Sequence, residues 1–149
     1  MGTPKCNFFA WLILQNKVWM ADRLTRRGWP NCGLCHLCKR EPETAMHLMF
    51  KCRYSLRIWH GIQGWLGLLD FDITQWSSYA SVKDWWCSIS GTNGRRLRDL
   101  SSLLLLAAWE IWNERNARFS AMWPPCPFRL SILLREMSHF GVRWGKAFV

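Results

Sequence analysis

The sequence predicts a mainly α-helical fold: a small helical domain with a CCHC zinc site on a loop and helix, followed by a C-terminal helical extension. Three observations predict it. Apolar residues recur at helical spacing in several separate segments, among them Val82, Trp85, Trp86 and Ile89. No pair of alternating runs is joined by a hairpin turn, and there is no internal repeat or low-complexity tract. Three cysteines and a histidine crowd into "CHLCKREPETAMHLMFKC" at 35–52. With 149 residues the chain can bury about two-thirds of its unfolded surface. Half of its residues are apolar, so it is not a disordered tail.

"NFFAWLIL" and "MADRLTRRG" read as two helical pieces, with Gly28 as a C-terminal stop and Pro30 beyond it. A loop then carries the first cysteines. Thr44 is an N-cap for a short helix containing His47 and Phe50, and a second helix runs from about Tyr54 through Ile58, Trp59, Ile62 and Trp65. "GLLDFDITQW" reads as loop, "SVKDWWCSI" as a helix closed by "SGTNG", and Leu97 to Phe119 as the longest helix. "WPPCP" at 123–127 is a break, because consecutive prolines cannot continue a helix. Beyond it Leu130, Leu133, Leu134, Met137, Gly141, Trp144 and Phe148 form an amphipathic stripe. The expected division is a helical zinc-binding module at 1–67 and a helical extension at 68–149, continuous with each other up to the break near 123–127.

Cys35 and Cys38 stand at the spacing with which a tight turn aims two thiolates at one tetrahedral metal. His47 follows, then Cys52. Three thiolates and an imidazole form a closed four-ligand set, as in a structural zinc site that keeps no open position for water. On an uninterrupted α-helix His47 and Cys52 would point about 140° apart, so the helix must end or bend at 51–53. Cys32 can replace Cys35 or Cys38, and His36 is close enough to compete. The compactness of the loop favours Cys35 and Cys38. The run Cys32, Cys35, Cys38 also has iron-sulfur spacing. The simplest alternative is that these cysteines are small buried hydrophobes and His47 a satisfied core histidine. Cys6, Cys87 and Cys126 are isolated and read as packing or surface thiols.

Charge points to a partner. The chain carries 20 basic and 10 acidic residues, and the segment through His60 holds ten basic against three acidic, +7 of the total +10. That asymmetry favours a polyanion, with nucleic acid ahead of a membrane surface. Arg23, Arg26, Arg27, Lys39, Arg40, Lys51, Arg53 and Arg57 flank the cysteines. They read either as phosphate contacts or as solvated helix faces. Trp19 and Trp29 read first as core packing, with stacking on unpaired bases as the alternative. An odd cysteine count without a secretory signal suggests a reducing compartment, nucleus or cytoplasm, in which cysteine clusters bind metal. "LLLLAAWEIW" is too short to cross a bilayer. No catalytic residues are expected: there is no adjacent aspartate pair for two-metal chemistry, no nucleophile partner for the histidines and no phosphate-binding glycine loop.

"ADRLTRRG", then "CHLCKREPETAMHLMFKCRYSLRIW", and later "WEIWNERNARF" resemble the reverse-transcriptase zinc-binding domain found downstream of the polymerase in plant non-LTR retroelements. The resemblance spans residues 8–120. It implies one zinc ion on Cys35, Cys38, His47 and Cys52, no polymerase or RNase H activity, and a role beside RNA or DNA. Trp109, Trp112, Arg115, Asn116 and Phe119 match its second block, whose purpose the resemblance does not explain. Two positions depart from the pattern. Met20 stands where a threonine usually caps the helix, and Arg53 stands where a proline usually follows the last ligand. A docking domain for a protein partner, or a retroelement relic without a selected function, are the other expectations. Neither a membrane nor a small-molecule substrate is expected as partner.

Overall fold

A computed structural model describes residues 4–29, 31–67, 72–90 and 96–120, and the side chains of residues 96–100 and of Ser120 are left out of the description. The expected break at 123–127, Cys126 and the C-terminal stripe lie outside those residues. The described chain is mainly helical and forms no strand beyond one isolated bridge between Leu34 and Pro42. Its α-helices are α1 (Pro4–Leu14), α2 (Ala21–Arg26), α3 (Arg53–Leu66), α4 (Val82–Ser90) and α5 (Arg96–Ser120). A π turn at His47–Lys51 precedes α3, and a 3-10 turn at Ile73–Ser78 follows it.

α3 and α4 each bury one side as their apolar spacing dictates, whereas α1 is apolar nearly all round and leaves Phe8 and Trp11 exposed. Phe9 and Ile13 of α1, Trp59 and Ile62 of α3, Val82 and Trp85 of α4, and Leu104, Ala107, Ala108 and Ile111 of α5 meet in one core. Phe9 packs edge-on against Trp109 at 5.5 Å and stacks on Trp112 at 5.8 Å, which joins α1 to α5. A second aromatic group holds α3, the 3-10 turn and α4 together. Trp59, Trp76 and Trp85 meet pairwise edge to face at 5.3–5.7 Å, and Phe50 stacks on Trp85 at 5.1 Å. Part of the high tryptophan content is thus structural: indole rings fill the space where three short elements converge.

The helix ends follow local chemistry. Gly28 adopts a φ of +74° just past α2 and donates its N–H to the Thr25 carbonyl, as its placement predicts. Gly67 ends α3 in the same left-handed region. The stretch expected as loop at 67–76 is a correction in part: Ile73–Ser78 is a 3-10 turn. Asp72 caps it by accepting from the Thr74 N–H at 3.0 Å, and Ile73 and Trp76 bury beneath it. The apolar spacing was too short to register as a helix, and the packing of Trp76 against Trp59 and Trp85 holds the turn.

A second correction concerns Trp19 and Trp29. Both were expected in the core, yet they are 42% and 61% exposed. They flank α2 and stack on each other instead, with ring centroids 6.1 Å apart and planes 7° from parallel. Their ring faces are covered by each other and, at Trp19, by the guanidinium groups of Arg23 and Arg27 rather than by the core.

Candidate metal centre

The loop carrying the first two cysteines is pinned by backbone bonds. The Cys35 N–H donates to the Glu41 carbonyl at 2.8 Å, the Glu43 N–H to the Gly33 carbonyl at 2.9 Å, and the Lys39 N–H to the Cys35 carbonyl at 2.8 Å. Lys39 takes a left-handed φ of +58° to close the turn. These bonds place Cys35 and Cys38 at the tip of a narrow loop.

His47 and Cys52 approach from the other side by a device the sequence only partly revealed. Thr44 caps the short helix as expected, its hydroxyl accepting from the His47 N–H at 3.1 Å. The helix then widens. The Cys52 N–H bonds to the His47 carbonyl at 2.6 Å, five residues back, which closes a π turn and brings the two side chains about one turn apart on one side. At Cys52 the backbone becomes extended, with ψ 128°, before α3 begins at Arg53. The break therefore falls within the expected 51–53, without a proline. Carbonyls at the end of this turn accept from side chains of α3: Ser55 Oγ donates to Leu48 and Trp59 Nε1 to Met49, the latter at 2.7 Å. Trp59 thus serves the turn as well as the core. Trp59→Phe keeps a ring in the core but leaves the buried Met49 carbonyl without this donor, and is expected to cost about 1–3 kcal/mol in chemical denaturation.

Sγ of Cys35, Cys38 and Cys52 and a ring nitrogen of His47 lie within 4.8 Å of one another. Cys35 and Cys52 Sγ are 3.8 Å apart, and Cys38 Sγ is 3.3 Å from His47 Nε2. Around a tetrahedral zinc with Zn–S of about 2.3 Å and Zn–N of about 2.0 Å, those edges would be about 3.8 and 3.5 Å, so the donor set fits one ion. Cys35 and Cys52 are fully buried, His47 is buried and Cys38 is half-buried. Without a cation the cluster cannot ionise freely. The Cys35 thiol is pushed up to about 12, first by its hydrogen bond to Cys52 and then by burial. Cys52, which accepts that bond, is held below the ordinary thiol value. Burial opposes a charge on His47, but its bonds to Cys35 and Cys38 outweigh burial and raise its pKa. A divalent ion removes this conflict by neutralising adjacent thiolates.

Cys32 and His36 lie outside the group. Cys32 is exposed, with Sγ 3.9 Å from His36 Nε2, and His36 Nδ1 faces Glu43 Oε2 at 3.2 Å. Cys6 is buried and Cys87 exposed.

Glu43 and the second sequence block were missed as parts of the site. The Glu43 carboxylate is buried and meets four partners: the Ala21 N–H at 3.0 Å, the His36 N–H at 3.3 Å, the His36 ring, and Arg115 of α5 through Nε and Nη2. Burial disfavours its charge, but the Arg115 guanidinium more than compensates and the pKa is lowered. Met20 makes no side-chain cap on α2 and is itself fully buried; the carboxylate of Glu43 supplies the cap from across the fold. Arg118 donates to the Leu37 carbonyl at 3.1 Å and lies over the Tyr54 ring, while Phe119 packs edge-on to His36. "WNERNARF" is therefore the clamp that seats α5 on the cysteine loop. The acid–base match of Glu43 and Arg115, 72 positions apart, was the only sequence signal, and nothing local singles it out.

Of the eight flanking cations, Arg23 is half-buried and the other seven are exposed. Arg23 Nη1 donates to the Asn16 carbonyl at 2.6 Å, and Arg26 pairs with Asp22 at 3.5 Å. Arg27 lies over the Trp19 ring at 4.7 Å and Lys51 over Phe50 at 5.8 Å. Lys39, Arg40, Arg53 and Arg57 are open to solvent. No helix among the described residues is long and apolar enough to cross a membrane.

No curated protein and no solved structure matches the chain. Residues 1–59 match the family model described as zinc-binding in reverse transcriptase, and the second block on α5 lies outside that match. The match and the gathered Cys3His group together support a reverse-transcriptase zinc-binding domain in the first 59 residues.

Proposed function

We propose that this chain is a zinc-stabilised nucleic-acid-binding module of plant non-LTR retroelement origin, in which Cys35, Cys38, His47 and Cys52 hold one Zn2+. The zinc is structural, because four protein donors leave no open position for chemistry. One observation carries the nucleic-acid reading: Arg26, Arg27, Lys39, Arg40, Lys51, Arg53 and Arg57 are all exposed, and Lys39, Lys51 and Arg53 directly adjoin in sequence the ligands of a cluster whose three thiolates and one zinc sum to only one negative charge. Cations so placed attract phosphates, largely without regard to sequence. In a complete retroelement protein such a module would help to hold template RNA or target DNA.

The test is a salt titration of binding to labelled single-stranded RNA and duplex DNA, by wild type and by a variant with Arg26, Arg27, Lys39 and Arg40 changed to Glu. Affinity should fall steeply as salt rises. The variant should lose about tenfold or more at low salt while keeping its zinc and its helical content. Binding that is unchanged by charge reversal would sink the proposal. A docking role toward a protein partner is the second reading, favoured by Phe8 and Trp11, which stand 62% and 50% exposed on α1.

A further inference from the structure

Two tryptophans that the core does not use stand beside α2. Trp19 and Trp29 present one nearly parallel aromatic stack to solvent, and both guanidinium groups of Arg23 and Arg27 lie over Trp19, at 5.5 and 4.7 Å. Burying either indole elsewhere would stabilise the fold by removing a large apolar surface from water, and that gain is forgone. Trp19 also lines a groove between α1 and α5, together with Lys5, Lys17, Trp109 and Trp112. No acidic residue lines that groove among the described residues. Aromatic rings and cations therefore run together from Trp29 through Trp19 into the groove.

We infer that Trp19 and Trp29 form a stacking platform for unpaired bases, which gives the module a preference for single-stranded over duplex nucleic acid. This rests on the nucleic-acid reading above and adds to it the strand form recognised. Unpaired bases expose aromatic faces, whereas a duplex covers them in its own stack and shows only edges and phosphates. Arg23 and Arg27 serve twice: they hold the Trp19 ring by cation–π contact, and their charge draws the phosphates of the strand that stacks there. An apolar peptide would fill the groove but would bring no negative charge to Lys5, Lys17, Arg23 and Arg27, so the charge favours a polyanion.

The experiment is anisotropy titration of a labelled single strand of about 12 nucleotides and of its duplex against zinc-loaded wild type, Trp29→Ala, Trp29→Phe and Trp19→Ala. Wild type should bind the single strand more tightly. Trp29→Ala should weaken single-strand binding about tenfold, leave duplex binding and the salt slope unchanged, and keep its zinc, while Trp29→Phe retains most of the affinity. Single-strand and duplex binding that are equal in wild type and unmoved by Trp29→Ala would overturn the platform, even if charge reversal at Arg26, Arg27, Lys39 and Arg40 still abolished both. Absence of any binding by wild type would remove the nucleic-acid reading and the platform together.

Discussion

Cys38→Ser is expected to release the zinc and unfold the chain around it, whereas Cys32→Ser is expected to leave both metal and fold intact. The asymmetry follows from geometry: Cys38 Sγ sits 3.3 Å from His47 Nε2 within the four-residue group, while Cys32 is exposed beside His36. Structural zinc contributes about 10 kcal/mol or more, comparable with the whole stability of a small domain. Metal content by atomic emission and helicity by circular dichroism read the two outcomes, and chelation of the wild type should reproduce the Cys38→Ser spectrum. A Cys38→Ser protein that stays folded with metal bound would move the ligand set toward Cys32. Acid should have the same effect as chelation, because protons compete with zinc for the imidazole and the thiolates. Protons already compete at Cys35, whose thiol is pushed up to about 12 in the metal-free cluster, and the raised pKa of His47 adds a further competing proton, so affinity should fall throughout as pH is lowered and more steeply once the imidazole also protonates.

The second large effect is expected 72 positions away from its partner. Arg115→Met should destabilise the protein by about 3–5 kcal/mol, because it strands the Glu43 carboxylate, whose side chain is fully buried, without its cation. For a chain of this length that is a fall in melting temperature of roughly 10 °C. It should also speed transfer of zinc to a chelator, since the same carboxylate holds the His36 N–H of the cysteine loop and the N-terminus of α2. The double variant Glu43→Gln, Arg115→Met should lose less than the sum of the single losses, as coupled partners do. Glu43 has a lowered pKa, so the pair's contribution is present at neutral pH and is lost as pH falls below the usual carboxylate range. A shift within about 0.5 kcal/mol, the range of an ordinary surface change, would mean that α5 folds apart from the cysteine loop. The expected result would instead support one folding unit reaching beyond the matched residues 1–59, at least to α5, and place the division at residue 67 inside that unit.

Much of the centre was legible because its parts are local. The spacing of Cys35 and Cys38, the Thr44 cap, the Gly28 stop and the need for a break near Cys52 all follow from a few adjacent residues and the pitch of a helix. The helical segments were legible for the same reason, since an apolar stripe repeats within one turn. The π turn was half legible: the angular mismatch between His47 and Cys52 demanded a distortion, but widening the helix and breaking it satisfy the demand equally on paper. Packing used both, and Trp59 Nε1 on the Met49 carbonyl supports the widened turn.

What sequence order alone could not supply is the meaning of residues whose partners are distant. Met20 looked like a missing cap, until the fold brought the Glu43 carboxylate to the Ala21 N–H. Arg115 and Phe119 looked like parts of a motif without a purpose, until α5 lay against the cysteine loop. Trp19 and Trp29 were indistinguishable from Trp59 and Trp85 by residue type, yet the first pair faces solvent and the second is fully buried. The physical reason is common to all three cases. Helix pitch and metal-ligand spacing are properties of neighbouring residues, whereas burial, ion pairing and exposure depend on which elements meet, and that is decided only when the whole core closes.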